Sequence, residues 1–335
     1  AVSGRATFDL VRERLGPRAA AVNLSASFFI NLLTLTAEVA GVAVAISLVA
    51  SVDYLLLVPL VAVLIWIVLW RMPFDWMEQI FGMLGLALLV FVVAVVKAGP
   101  DWNALISDAV HPQVPAEETV WSYAYYGIAL FGAAMTPYEV FFFSSGAVED
   151  GWTPDDLGLE RVNVLIGFPL GGLLSLAIMV SSMLTFSQLG VDVEDLAQVP
   201  LPVVLTVGKL GLAAALVGIF AATFGAALET ALSAGYGIAQ YFGWQWGKFV
   251  KPREASRFHL VVLGAVLFAT LITLTGVDQI KVTEYSIVLS AAALPLTYLP
   301  ILVIANDPDY MGAHRNGRVV NALASLYLVL LLAVS

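Results

Sequence analysis

A proline and a carboxylate interrupt residues 126–145, a stretch that is long and apolar enough to cross a bilayer. Pro137 has no N–H, and its ring displaces the carbonyl group four residues earlier, so the Ala133 carbonyl loses its helical partner. In a lipid bilayer a free carbonyl group is costly unless it lines a cavity or binds a ligand. Thr136 and Glu139 add a hydroxyl and a carboxylate at the same point. The stretch is therefore predicted to form two half-helices with a cation site at the break.

Two oxygen atoms at this break suit a hard divalent cation. The Thr136 hydroxyl and the freed Ala133 carbonyl are ligands of the kind that Mg²⁺ and Mn²⁺ accept. A different role for Thr136 is to bond a backbone carbonyl and ease the kink at the proline. Glu139, in the first turn of the second half-helix, is stabilised there by the helix dipole whatever its function. Its functional role would be to attract a hydrated cation, directly or through water.

Two further carboxylates fall inside apolar stretches. Glu38 lies in the middle of residues 22–50, and Glu229 lies among small residues within 203–243. An ionisable residue inside a membrane marks an ion or proton pathway by default. The alternative for each residue is a neutral carboxyl group that makes a structural hydrogen bond inside the helix bundle.

The composition predicts a helical membrane protein. The 335 residues are 60% hydrophobic and 12% charged, whereas an average soluble domain has about 25% charged residues. The absence of cysteine excludes disulfides, thiolate metal sites and thiol catalysis. The sequence contains no P-loop, hydrolase triad or metalloprotease motif. We therefore expect no enzymatic activity, no resident cofactor, no nucleic-acid partner and no obligate protein partner.

Nine apolar stretches are candidates to cross the membrane. They are residues 22–50, 54–70, 77–97, 119–147, 161–188, 203–243, 258–276, 284–305 and 319–335. If residues 1–20 are cytoplasmic and each stretch crosses once, 12 of the 15 Lys and Arg residues fall on the cytoplasmic side. This distribution follows the positive-inside rule. We predict a single transmembrane domain over residues 1–335, in the plasma (inner) membrane.

An arrangement of two inverted repeats would account for these stretches. Residues 119–305 would form the second repeat, which opens with the broken helix 119–147, and residues 22–97 would be the rest of the first repeat. Residues 319–335 would start an additional helix. On this scheme two helices precede residue 1, so the nine visible spans belong to an expected eleven.

The motif at the break also carries a resemblance to a known family. Gly132-Ala133-Ala134-Met135-Thr136-Pro137-Tyr138-Glu139, followed by Phe143-Ser144, resembles the sixth helix of the NRAMP divalent-metal transporters, usually Gly-Ala-x-x-Met-Pro-His with a later His-Ser. Residues 8–18, 37–43 and 289–316 resemble, in the same order, the end of the family's second helix, its third helix, and its tenth helix with the loop beyond. The resemblance implies a LeuT-type inverted-repeat fold, alternating access and a divalent metal ion as the transported substrate.

Several positions depart from the family pattern. Thr136 stands where the family has a thioether Met, so a soft ligand that helps to select transition metals is replaced by a hard or non-coordinating one. Tyr138 and Phe143 stand in place of two histidines of the sixth helix, and Leu35 replaces an acid three residues before Glu38. These positions belong to the family's proton-handling apparatus. The changes resemble those of the NRAMP-related magnesium transporters, and the family's first-helix Asp-Pro-Gly motif does not occur in the sequence.

The resemblance thus implies transport of Mg²⁺, and also of Mn²⁺, with weak or no proton coupling. The expected metal ligands are Ala133, Thr136 and Glu139, and the candidates for a pathway or coupling role are Glu38, Tyr138 and Glu229. Two alternatives remain open: a proton-coupled Mn²⁺/Fe²⁺ NRAMP importer, and a LeuT-fold carrier of an organic solute such as an amino acid. Glu139 at the break argues against the organic-solute carrier, which would need an uncharged pocket.

Overall fold

The computed structural model describes residues 1–114, 118–133, 136–191 and 193–335, and these ranges fold into helices and contain no β-strand. The helices, numbered in chain order, are α1 Thr7–Leu15, α2 Pro17–Ala50, α3 Tyr54–Arg71, α4 Phe74–Gly85, α5 Leu89–Ala98, α6 Trp102–Val110, α7 Val120–Ala133, α8 Pro137–Glu149, α9 Leu157–Leu189, α10 Leu201–Val207, α11 Lys209–Phe242, α12 Ser256–Leu274, α13 Gln279–Asn306, α14 Pro308–Met311 and α15 Arg318–Val334.

The prediction of a polytopic all-α membrane protein is confirmed. In the described ranges eight spans, some made of two consecutive helices, are long and apolar enough to cross a bilayer. They correspond to the first eight predicted stretches, and the 17-residue helix α15 corresponds to the ninth. The predicted stretch 203–243 is not one helix, because Gly208, with a φ of 89°, separates α10 from α11. A positive φ of this size is accessible to glycine at little cost, which explains why the break falls there.

Helices α2 and α11 form the centre of the bundle, and α3, α8, α12 and α13 pack around them. Each of the two has 34 residues and is about 50 Å long, longer than the hydrocarbon core of about 30 Å. Their contact is close, since a Cβ at Gly41 would lie 3.2 Å from Cγ2 of Thr223. Small residues at such contacts let backbones approach, and this packing is a main source of stability between helices in lipid.

Helix α1 connects the ends of two helices that contribute to the site. The ring of Phe8 packs edge-on against Phe141 of α8 at 5.0 Å, and the Thr7 N–H donates to the Ser144 hydroxyl at 2.6 Å. Arg12 donates from one nitrogen to the carbonyl oxygens of residues 240 and 241, at 2.8 and 2.6 Å. Those carbonyls belong to the last turn of α11, where a positive charge also opposes the negative end of the helix dipole. The basic N-terminal segment is therefore a packed part of the bundle.

A second proline in a membrane helix has its freed carbonyl satisfied. Pro300 lies inside α13, so the carbonyl of Leu296 loses its partner within the helix. The Asn23 side-chain amide of α2 donates to that carbonyl at 2.7 Å. A buried polar side chain thus repairs the proline defect and fixes the register between α2 and α13.

Gly132 lies where α7 meets α13. A Cβ at this position would be 2.4 Å from the backbone oxygen of Ile287 and 2.9 Å from Cβ of Ala291. Real Cβ atoms do not approach backbone so closely, so α7 or α13 would have to shift. Glycine at residue 132 therefore sets the distance between the first half of the broken helix and α13.

We expect Gly132→Ala to lower the melting temperature of the purified protein in detergent, because overpacking of this kind costs about 1–3 kcal/mol. Gly127→Ala is the matched control on the same helix, since a Cβ there meets nothing within 4 Å. That control should leave stability unchanged or raise it slightly, because alanine favours a helix over glycine by about 1 kcal/mol. A Gly132→Ala protein that melts at or above the wild-type temperature would contradict the close α7–α13 contact.

Candidate metal site

The chain leaves the helical conformation at the point that the sequence predicts. Helix α7 ends at Ala133 and α8 begins at Pro137. Between them Thr136 is extended, with φ and ψ of −118° and 146°, and serves as the N-cap of α8. Ala133, one of the predicted ligands, is exposed at the last position of α7. Residues 134 and 135 of the motif lie outside the described residues.

Thr136 and Glu139 form a capping box at the start of α8. The Glu139 carboxylate accepts a hydrogen bond from the backbone N–H of Thr136 at 3.3 Å, as the fourth residue of a capping box does. The Thr136 hydroxyl approaches the first turn of α8 as the other half of the box, but it is buried and forms no regular hydrogen bond with a described residue. A buried hydroxyl without a partner is costly, so this oxygen is available to a ligand or to water.

Glu38 faces α11 from the middle of α2. Its Oε1 accepts a hydrogen bond from the Thr230 hydroxyl at 3.0 Å, and both side chains are buried. Its Oε2 has no hydrogen-bond partner within the described part of the chain. One oxygen of the carboxyl group is thus held in place while the other remains unsatisfied.

The structure brings five of the six predicted site residues into one neighbourhood. Glu38 is close enough to interact electrostatically with Glu139 and Glu229, and Tyr138 interacts with all three carboxyl groups and with Thr136. None of the ion pairs found between described residues includes Glu38 or Glu139. The acidic side chains do not converge at one point, since no group of three His, Asp or Glu in the described ranges is spaced to hold a metal ion.

A stripe of buried polar side chains on α2 was missed by the sequence reasoning. Asn23, Ser27, Asn31 and Glu38 are all buried, and their spacing of four, four and seven residues puts them on one face of a helix. The signal was present in the sequence, as polar residues at helical spacing within an apolar stretch. Only Glu38 was singled out, because it alone carries an ionisable group.

Further hydrogen bonds connect these polar residues of α2 with α11 and α8. Asn31 donates to the Ser233 hydroxyl at 3.5 Å, and Ser233 donates to the Tyr138 carbonyl at 3.0 Å. Further along, the Gln240 amide donates to the Ser145 hydroxyl at 2.8 Å. The amide oxygens of Asn31 and Gln240 accept no hydrogen bond from the described residues. The unsatisfied side-chain atoms along this interface are therefore all oxygens. Such atoms can accept a hydrogen bond from water or coordinate a cation.

The C-terminal end of α8 is also fixed by hydrogen bonds. Glu149 accepts a hydrogen bond from the Tyr236 hydroxyl at 2.8 Å and another from the Lys248 backbone N–H at 2.5 Å. The loop comes this close because Gly247, with a φ of 136°, has no Cβ: a Cβ would lie 2.4 Å from a Glu149 oxygen. The second half-helix is thus fixed to α11 and to the loop after it.

Two of the positions that depart from the family pattern lie apart from these polar groups. Phe143 is 53% exposed, so its ring points away from the interior of the bundle. Leu35, on α2, is buried in the apolar core among helices α3, α11 and α12. The other two substituted positions, Thr136 and Tyr138, lie near the carboxyl groups.

Comparison with known proteins gives the family directly. A family profile described as natural resistance-associated macrophage protein-like (Nramp) matches residues 1–335. The chain belongs to the Nramp family. It is an integral membrane protein, as the sequence predicts.

Relatives and solved structures agree with the assignment. The chain is 25% identical, over its whole length and 80% of the relative's, to the divalent metal cation transporter MntH of Aeromonas hydrophila. It is 24% identical to MntH of Pectobacterium carotovorum over 77% of this chain and 60% of that protein. It resembles the crystal structure of an Eremococcus coleocola manganese transporter with a TM-score of 0.66 and 18% identity, over 99% of this chain and 74% of the other. The predicted LeuT-type transporter fold of the Nramp family is thereby confirmed.

The Glu38–Thr230 pair leads to a prediction on stability. Thr230→Val keeps the side-chain shape but removes the only described donor to Glu38, which should cost about 1–3 kcal/mol and lower the melting temperature in detergent. Thr230→Ser keeps the hydroxyl and is the matched control. In a double-mutant cycle with Glu38→Leu, which removes the accepting oxygens, the two effects should be strongly non-additive. Equal loss in the Val and Ser variants, or simple additivity, would show that the hydrogen bond does not matter.

Proposed function

We propose that the protein transports divalent metal ions, Mg²⁺ preferentially and Mn²⁺ as well, by alternating access with weak or no proton coupling. Membership of the Nramp family supports the general class. So do the relatives, which are named as divalent metal cation transporters and not as enzymes. The observation that carries the preference for Mg²⁺ is the buried Thr136 hydroxyl, which has no regular partner among the described residues and stands where the family has a thioether.

The donor set favours a hard cation. Thr136 and the carboxyl groups of Glu139 and Glu38 offer oxygen, and Mg²⁺ is bound in proteins by oxygen ligands. A thioether favours softer transition metals, so its replacement removes a selectivity element against Mg²⁺. This loss alone does not create affinity for Mg²⁺. The affinity would come from Glu139 and from waters that the ion keeps, since Mg²⁺ gives up its hydration shell reluctantly.

The unsatisfied oxygens along α2 and α11 support a route for a hydrated ion. From Glu38 they run through Asn31 to Gln240, towards the end of the bundle where α2 starts and α11 ends. The distribution of basic residues predicts that this end is cytoplasmic. Amide and hydroxyl groups of this kind can bond the water around an ion without binding the ion itself tightly. A path lined in this way lets an ion leave the site.

Weak proton coupling follows from the residue types near the site. A histidine changes charge near physiological pH, whereas a tyrosine with an ordinary pKa of about 10 does not. Tyr138 lies beside the three carboxyl groups in place of such a histidine. The second candidate function, a proton-coupled Mn²⁺ importer, is favoured by Glu38, whose buried carboxyl group could itself carry a proton.

Substitution of Thr136 tests whether its hydroxyl oxygen sets the preference for Mg²⁺ over Mn²⁺. Thr136→Met should reduce Mg²⁺ uptake relative to Mn²⁺ uptake by about tenfold in liposomes that contain the purified protein, because the thioether replaces a hard oxygen. Thr136→Ser keeps the hydroxyl and should preserve the wild-type ratio. The readout is initial influx of each ion, measured with an enclosed fluorescent indicator. If the Met variant keeps the wild-type ratio, Thr136 does not set metal preference.

A further inference from the structure

A groove of about 240 Å³ opens between the end of α3 and the start of α12. Its walls are apolar: Trp66 and Trp70 come from α3, and Leu260 and Leu263 come from α12. The two indole rings lie 5.2 Å apart and are 37% and 51% exposed. The groove therefore presents an aromatic surface to the outside of the helix bundle.

The groove lies at one boundary of the membrane. Helix α3 ends at Arg71 and α12 begins at Ser256, and the lining residues occupy the last turns of one helix and the first turns of the other. Trp is enriched where a membrane meets water, as expected for this pair of rings. The distribution of basic residues in the sequence puts this boundary on the cytoplasmic side.

Basic residues lie in and beside the groove. Residues 243–257 contain four basic residues and one acid, and Lys248 lines the groove itself. The Arg71 guanidinium stacks over the ring of Trp70, another lining residue, at 5.2 Å. A stacked guanidinium keeps a defined plane while its N–H edge can still bind a phosphate group.

Lys248 is a partly buried basic residue of the groove. Burial lowers its pKa to about 8, and nearby Glu149 partly opposes this shift. Its ammonium group contacts the sulfur of Met77, a weak acceptor, while its backbone N–H binds Glu149 at the end of α8. An anion at the groove would favour the charged form of this lysine.

From the groove and its charges we infer that one anionic phospholipid binds between α3 and α12. Its phosphate group interacts with Lys248 and with Arg71, which is stacked on Trp70, and an acyl chain lies along Trp66 and Leu260. The combination indicates a lipid and not a free phosphate, because the apolar walls would gain nothing from an inorganic ion. Basic pockets between membrane helices on the cytoplasmic side are suited to anionic head groups.

Bound lipid would also act on the loop that holds the broken helix. The groove includes Lys248, and the same residue's backbone fixes Glu149. A lipid at the groove would therefore strengthen the attachment of α8 to α3 and α12. This inference does not depend on which ion the protein transports.

The test is lipid-dependent thermal stability of the protein in detergent, with native mass spectrometry to count retained lipids. Phosphatidylglycerol should raise the melting temperature and remain bound as a single copy, whereas phosphatidylcholine with the same acyl chains and inorganic phosphate should do neither. The variant Arg71→Gln alters an exposed side chain beside Trp70 and should weaken phosphatidylglycerol binding roughly fivefold, since a basic residue near an anionic head group contributes about 1 kcal/mol.

The matched control is Arg315→Gln. This residue is predicted to be on the same side of the membrane, and neither it nor its chain neighbours line the groove. This variant should bind phosphatidylglycerol as the wild type does. Equal stabilisation by phosphatidylcholine, full substitution by inorganic phosphate, or equal loss of binding in the control variant would each overturn the proposal.

Discussion

A buried carboxyl group with one satisfied and one unsatisfied oxygen is the constraint on which the centre of this protein depends. Thr230 donates to one oxygen of Glu38, and the other has no partner among the described residues. Charge or polarity without a partner is expensive inside a membrane protein. The surrounding helices therefore have to supply either a partner or access for water and ions, and this requirement explains why polar side chains recur along α2 and α11.

Polar groups at both ends of α8, the second half of the broken helix, also have hydrogen-bond partners. At its start Glu139 binds the N–H of Thr136, and at its end Glu149 is held by Tyr236 and Lys248. Helix α8 is thus a short rigid element whose first turn presents oxygens to the interior. Close packing of Gly132 against α13 fixes the half-helix that precedes it. The Thr136 hydroxyl, between these two half-helices, forms no regular hydrogen bond with a described residue.

Features that depend on local chemistry could be predicted from the sequence. Pro137 identifies the break together with Thr136 and Glu139, which add polar groups at the same point; proline alone would not, since Pro59, Pro169, Pro295 and Pro300 lie inside helices. The lengths of the apolar stretches identify the spans. The length of residues 203–243 indicates that they are too long for a single span, but the position of the division, Gly208, was not predicted, because a glycine in an apolar stretch can equally well pack inside a helix. Pairings such as Glu38 with Thr230 and Glu149 with Lys248 could not be predicted, because they join residues 192 and 99 positions apart. Their formation depends on which helix faces meet.

The account is tested most directly by Mg²⁺ influx into liposomes that contain the purified protein, with internal Mg²⁺ and internal pH recorded together. We predict saturable Mg²⁺ influx down its concentration gradient, with little or no accompanying acidification. Mn²⁺ influx that acidifies the interior, together with no Mg²⁺ influx, would contradict the account and establish a proton-coupled transition-metal importer.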